Sequence, residues 1–244
     1  MALFGYLQQT ILFLNDAGIS TYNPADLTTY INTGRQQIAT SGECIRAVGT
    51  LVTASGTQQY AFTSITIGTS GASTGGVMTV RNINMPATAG YGPMQNRNFD
   101  WFTLYYIQTS ATQTFGRPTV WAQYSGGTSG QIYFNPTPAG AYTCTLDCVV
   151  LPNALVYDTD PEALPYPWTN VVPWYAAFYA AMSAQNFDAA NLFRERYQEY
   201  MHRAVAESTP SILPDNFPGG RAAQIISKKR ALAALVNQDS KGAV

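Results

Sequence analysis

The sequence predicts an α+β protein: a four-helix bundle with an inserted β-sandwich or barrel-like domain, then an extended arm ending in a helix. Three observations predict it. Apolar residues recur at helical spacing at the front of the chain and again after residue 156. From about 47 to 151 the period changes to two, with runs separated by Gly, Ser, Pro and Thr clusters. Beyond residue 209, Pro210, Pro214 and Pro218 forbid a helix until Arg221. The expected division is 1–46 for the first helices, 47–155 for the β domain, 156–208 for a helical hairpin and 209–244 for the arm.

Each element has a local reason. Leu3, Leu7, Ile11 and Leu14 give one face of a helix over 3–15. A second helix is expected over 24–41. Asn23 caps it, Pro24 fits its first turn and Asp26 faces the positive end of its dipole. Leu27, Tyr30, Ile31, Gly34 and Ile38 form its buried face, and Gly42 is expected to close it. The β-like runs are AVGTLVT, QQYAF, SITIG, VMTVRNINM, TVWAQY, GQIYFN and AYTCTLDCVVL. One segment at 99–109 breaks the alternation, and Asn98 with Asp100 gives it a helix start.

LPYPWTNVVPWYAAFYAAM, 164–182, is uncharged and alternates aromatics with alanines. It is expected to turn helical near Thr169 or Pro173, with Val172, Tyr175, Ala176, Tyr179 and Met182 on one side and Trp174, Phe178 and Ala181 beside them. A partner helix from Asp188 to about 207 offers Ala190, Phe193, Tyr197, Tyr200, Met201 and Ala204 to it. Small residues opposite aromatics make this an αα-hairpin, expected to pack on the first two helices. The arm comprises an extended TPSILPDNFPGG linker and a helix over 221–236.

Composition narrows the function. Charged residues make up 11% of the 244-residue chain, against roughly 25% in an average soluble protein. Net charge is −1, with 16 Tyr, 11 Phe and 4 Trp. Interface cores are poor in charge and rich in aromatics, so the composition points to a protein that works inside an assembly. A β protein covered in Thr, Ser and Gln is the competing reading. The charge is also divided: residues 221–244 hold five basic side chains against one acidic, net +4, and 1–220 hold eight against thirteen, net −5. No uncharged apolar run reaches the ~18 residues that a bilayer requires.

Enzymatic readings find little support. His202 is the single histidine, in a helix between Met201 and Arg203. A nucleophile–His site would need it in a pocket beside Ser or Cys. Cys144 and Cys148 lie ~13 Å apart on one face of a strand, too far for a mutual disulfide or a shared zinc ion. With Cys44 they read as buried free thiols. The acidic DTDPE run at 158–162 lacks the ladder of a calcium loop and reads as solvated carboxylates. The glycine-rich 68–76 run carries no lysine and reads as a hairpin tip rather than a phosphate loop. Trp101, Trp121, Tyr124 and Tyr133 offer a carbohydrate-stacking alternative, and core packing explains them equally well. Neither catalytic residues nor a metal or cofactor are expected.

Order along the chain carries a resemblance. GRPTVWAQY, a strand ending N-P-T-P, a Tyr-started strand ending near L-P and an L-P-x-P-W entry into the hairpin follow one another over 116–182. Earlier, a helix holding I-N-x-x-R leads into a strand and a G-T-x-x-Y turn. Over most of residues 20–205 the chain resembles the head-to-tail connector adaptors of tailed bacteriophages. The resemblance implies a non-catalytic virion neck protein, made in the host cytoplasm. About twelve copies would form a closed ring beneath the portal. The ring would extend the DNA channel and receive the tail tube or nozzle. Implied partners are further copies of itself, the portal protein, the tail component and duplex DNA passing without specific binding, with no membrane. An acidic body suits such a channel, because Lys and Arg bind phosphates. Arg221, Ile225, Ile226, Lys228, Lys229, Arg230, Leu232, Leu235 and Val236 would form the portal-binding arm. Trp168, Trp174, Tyr175, Phe178 and Tyr179 are the candidate contacts between copies. A carbohydrate-binding tail or fibre module is the alternative function.

Overall fold

A computed structural model describes residues 3–16, 21–68, 74–85, 94–105 and 114–208. The arm residues from Arg221 to Val236 lie outside the described residues. The chain divides into one compact unit through Val205 and a second from Ala206.

Helix α1 (Leu3–Phe13) and helix α2 (Pro24–Gly42) form near their expected positions. The Asn23 side chain accepts the Ala25 N–H at 3.0 Å, as an N-cap does. The far end of α2 departs from expectation. Gly42 stays helical, and Glu43 takes the left-handed conformation at φ 46°. Gly42 serves close approach instead: a Cβ there would stand 2.5 Å from Cη2 and Cζ3 of Trp168. Gly34 does the same one face along, beneath Tyr175, where a Cβ would meet Cδ1 at 2.7 Å.

The strands are β1 (Arg46–Val52), β2 (Gln59–Ala61), β3 (Thr66–Ile67), β4 (Thr74–Asn84), β5 (Gln95–Arg97), β6 (Phe115–Gly116), β7 (Val120–Tyr124), β8 (Gln131–Asn135), β9 (Thr137–Pro138) and β10 (Thr143–Pro152). They form sheets ordered β3-β1-β10-β4, β2-β8-β7-β5 and β6-β9. None is closed, so the barrel-like expectation gives way to open sheets. In the first sheet β1 runs antiparallel to β10, Arg46 opposite Val149 and Val52 opposite Thr143. Alternation along these two strands sends Leu51, Cys144, Leu146 and Cys148 inward. Gln123 of β7 ties the second sheet to β4: its Oε1 accepts from Thr79 Oγ1 at 3.0 Å and Val80 N at 2.9 Å. Helix α3 (Phe99–Tyr105), started by Asn98, covers the other face of β7 and β8 with Phe99 and Phe102.

Helix α4 (Val172–Ser183) carries Pro173 in its first turn and follows a 3₁₀ turn at Trp168–Asn170. Helix α5 (Phe187–Ser208) runs back alongside it. The expected four-helix bundle is not what forms. Helices α1, α2 and α4 pack closely on one another, and α2 also packs on β10. Helix α5 reaches α4 through large rings: Trp174 to Tyr200 at 5.5 Å and Tyr175 to Tyr197 at 5.4 Å between centroids. The principal core is continuous from Tyr6, Ile31 and Ile38 to Leu146, Cys148 and Val150, so the helices share the sheet's core, and a smaller cluster of Ala177, Ala181, Ala190 and Phe193 lies among α1, α4 and α5. A bundle needs four inward stripes facing one axis; here the apolar stripe of α2 is divided between helices and strands.

Candidate functional site

The aromatic hairpin is the first candidate. Phe13 of α1 stacks on Trp174 at 3.9 Å between centroids, with the rings 14° apart. Trp174 also meets Phe193, and Tyr179 meets Tyr30, Tyr175 and Phe178. The five candidate contact residues therefore separate by depth. Trp168 and Tyr175 are enclosed by the chain's own core, Trp174 and Phe178 are half-buried, and Tyr179 is 41% exposed. Met182, one turn on, is exposed on the same side of α4, and Phe187 and Leu192 are exposed on α5. Burial, then the neighbouring Tyr179 hydroxyl, raises the Tyr175 pKa, so the Tyr175 phenol stays neutral at physiological pH.

A second site is built on Asn32 and Arg35, the Asn and Arg of the I-N-x-x-R motif. Arg35, on the α2 face that also carries Ile31 and Ile38, is 1% exposed. Its Nη2 donates to Glu162 Oε1 at 2.7 Å and its Nε lies 3.1 Å from Oε2, while Nη1 donates to Asn153 O at 2.7 Å and to Asn32 Oδ1 at 3.1 Å. Asn32 adds two bonds with the Leu155 backbone, accepting from N at 2.8 Å and donating to O at 3.0 Å. Asn32 and Arg35 thus bolt α2 to the segment entering the hairpin. The acidic run is accordingly not uniformly solvated. Glu162 is buried against Arg35, while Asp158 remains exposed and Asp160 half-buried. Burial, then the Glu162 charge, raises the pKa of the buried Tyr6 hydroxyl. Arg35 had one sequence signal: a cation at apolar spacing needs a buried partner. Its partner lies 127 residues away, and no local pattern points to it.

The carbohydrate platform does not assemble. Trp121 is wholly buried, opposite Phe134 in the principal core. Tyr124 and Tyr133 lie on the other side of their sheet, packed with Phe99. Trp101 is 37% exposed beneath the Arg97 guanidinium, 4.8 Å from its ring centroid.

His202 is exposed on α5. Among the described residues no three His, Cys, Asp or Glu side chains come together as a metal would require, and no helix is long and apolar enough to cross a membrane. Burial pushes the Cys44 thiol up to about 12 and those of Cys144 and Cys148 up to about 11. Thiolate is the reactive form, so at pH 8 the folded protein should react with an aromatic disulfide reagent roughly a hundredfold more slowly than free cysteine. All three thiols should appear on unfolding; a fast thiol in the folded chain would show that one of these sites is open.

The chain matches the SU10 adaptor protein family over residues 5–215. No curated protein matches it.

Proposed function

The chain belongs to the SU10 adaptor protein family, a phage-related adaptor family, and on that premise we propose that it is a non-catalytic ring component of the virion neck. In this reading about twelve copies close into a ring beneath the portal. The ring extends the DNA channel and presents a platform to the tail. The segments 1–46, 47–155 and 156–208 build the ring body, and the basic residues Lys228, Lys229 and Arg230 of 209–244 reach the portal.

One observation supports this best. The hairpin and α1 expose Leu12, Tyr179, Met182, Phe187 and Leu192 over a well-packed interior. A chain with few charges and large apolar side chains in water is built to be covered. A cyclic ring buries two different patches on every subunit, which uses such surface economically. The aromatic-hairpin candidates divide accordingly: Tyr179, with the half-buried Trp174 and Phe178, meets the neighbouring copy, while Trp168 and Tyr175 hold the subunit together.

The test is Tyr179→Asp with Met182→Asp. Both side chains are 41% exposed, and Tyr179 also packs on Tyr30, Tyr175 and Phe178, so thermal stability should fall by about 1–3 kcal/mol, and circular dichroism checks that the body stays folded. Ring formation on the portal, read by sedimentation, should fall at least tenfold. Unchanged ring yield would remove this face from the contact between copies.

The carbohydrate alternative keeps only Trp101 and Tyr124 as exposed rings, on a different face from the buried Trp121. No observation favours it.

A further inference from the structure

The first sheet gives one face to the core and turns the other to water. Leu51, Cys144, Leu146 and Cys148 point inward and join the principal core shared with α1, α2 and α4. The alternate residues point away from those helices. Pairing register fixes which of them share the outer face. Thr66 of β3 stands opposite Thr50 of β1, Thr50 opposite Thr145 of β10, and Thr145 opposite Asn84 of β4. They make one exposed row across the four strands. Val48 and Val52 lie two residues to either side of Thr50 on β1, 64% and 58% exposed. A sheet with one wet face ordinarily turns polar residues outward, and these two valines depart from that pattern.

Charge narrows what such a face can receive. Arg46 and Asp147 are the outward charges of β1 and β10, and they pair with each other. Arg81, where β4 shifts register against β10, pairs with Glu43. Duplex DNA finds no unpaired cation among these residues. The chain's own residues 221–244, net +4, find no unpaired carboxylate among them. An uncharged apolar surface fits instead, and α4 offers one. No residue from Val172 to Ser183 is charged, and Tyr179 and Met182, at i and i+3, are each 41% exposed. Helix α4 sits on the inner side of the sheet, so its exposed side and the sheet's outer face belong to different sides of the body. One copy cannot bring the two together; two copies can.

We propose that the outer face of the first sheet, centred on Val48, Thr50 and Val52, receives the Tyr179–Met182 side of α4 from the next copy. A helix stripe on a sheet face is a stable packed layer, completed here between subunits. A closed ring buries two different patches on each subunit, and this contact supplies the second of them. It rests on the ring reading.

The test uses full-length chains assembled on the portal and treated with a flexible bismaleimide. A chain carrying both Val48→Cys and Met182→Cys should give a ladder of linked multimers on a denaturing gel. Either cysteine alone should leave monomers, as should wild type with its native thiols, and a mixture of the two single variants should give dimers. Linkage in the Val48→Cys chain alone would mean that the sheet face meets its twin, which overturns the proposal. Val48→Lys with Val52→Lys places charge only on exposed positions, so circular dichroism should stay native while ring yield falls at least tenfold. Undiminished yield would overturn the proposal too. Wild-type assembly is scored first: rings without a ladder lose this contact alone, and a chain that forms no ring with the portal loses the ring reading as well.

Discussion

Replacing Arg35 by alanine is expected to cost the fold about 3–5 kcal/mol, because it leaves a buried carboxylate without its counter-ion. Arg35 is 1% exposed and the Glu162 side chain only 6%. The guanidinium also holds Asn153 O, so its loss frees the start of the 153–164 segment as well as the charge. For a body of this size the melting temperature should drop by roughly 6–20 °C. Arg35→Met combined with Glu162→Leu should recover much of that, since a buried pair replaced by apolar groups of similar volume is close to neutral. Differential scanning calorimetry on the two variants checks both statements. A single variant within 1 kcal/mol of wild type would mean that Glu162 has another way to be neutralised.

Trp168→Ala should be comparably damaging, about 3–5 kcal/mol, by opening a cavity at the base of α4. The indole is 3% exposed and lies over Gly42. Its amide donates to Pro165 O at 2.9 Å, and its carbonyl accepts from Val171 at 3.2 Å in the turn that launches α4. The close contact works in both directions. Gly42→Ala in the wild-type background should cost about 1–3 kcal/mol through overpacking against the ring. The same change in the Trp168→Ala background should cost little or even help, because the clash has gone. A thermodynamic cycle over these four proteins reads the coupling directly. Additive effects would mean that Gly42 and Trp168 do not meet as described. Loss of assembly in Trp168→Ala is therefore a folding effect and maps no interface, whereas loss in a Tyr179→Asp chain whose circular dichroism stays native does.

Local chemistry made much of the fold readable. Asn23, Pro24 and Asp26 mark the start of α2 because capping, a fixed φ and the helix dipole act within one turn. The inward alternation of Cys144, Leu146 and Cys148 follows from the pleat alone. Gly42 was misread because a glycine near a helix end serves two purposes, and only the distant Trp168 decides between them. The short strands β5, β6 and β9 have two or three residues each and no period of their own; their parallel neighbours define them. The bundle was overdrawn for a similar reason. An apolar stripe states that a helix is covered without stating by what, and α2 is covered partly by β10. For the candidate site, sequence supplied the aromatic hairpin but not the sorting of Trp168 and Tyr175 from Tyr179, which depends on which rings glycines admit to the core. The Arg35–Glu162 bolt was illegible because its halves are separated by the whole β region.

The central claim is that this chain's exposed apolar surface is covered by copies of itself on a portal. Negative-stain imaging of the full-length protein mixed with its portal tests that most directly. The account predicts a closed ring of about twelve copies seated on the portal, absent when Tyr179 and Met182 are replaced by aspartate. A wild-type chain that stays monomeric and unattached beside an intact portal would contradict it.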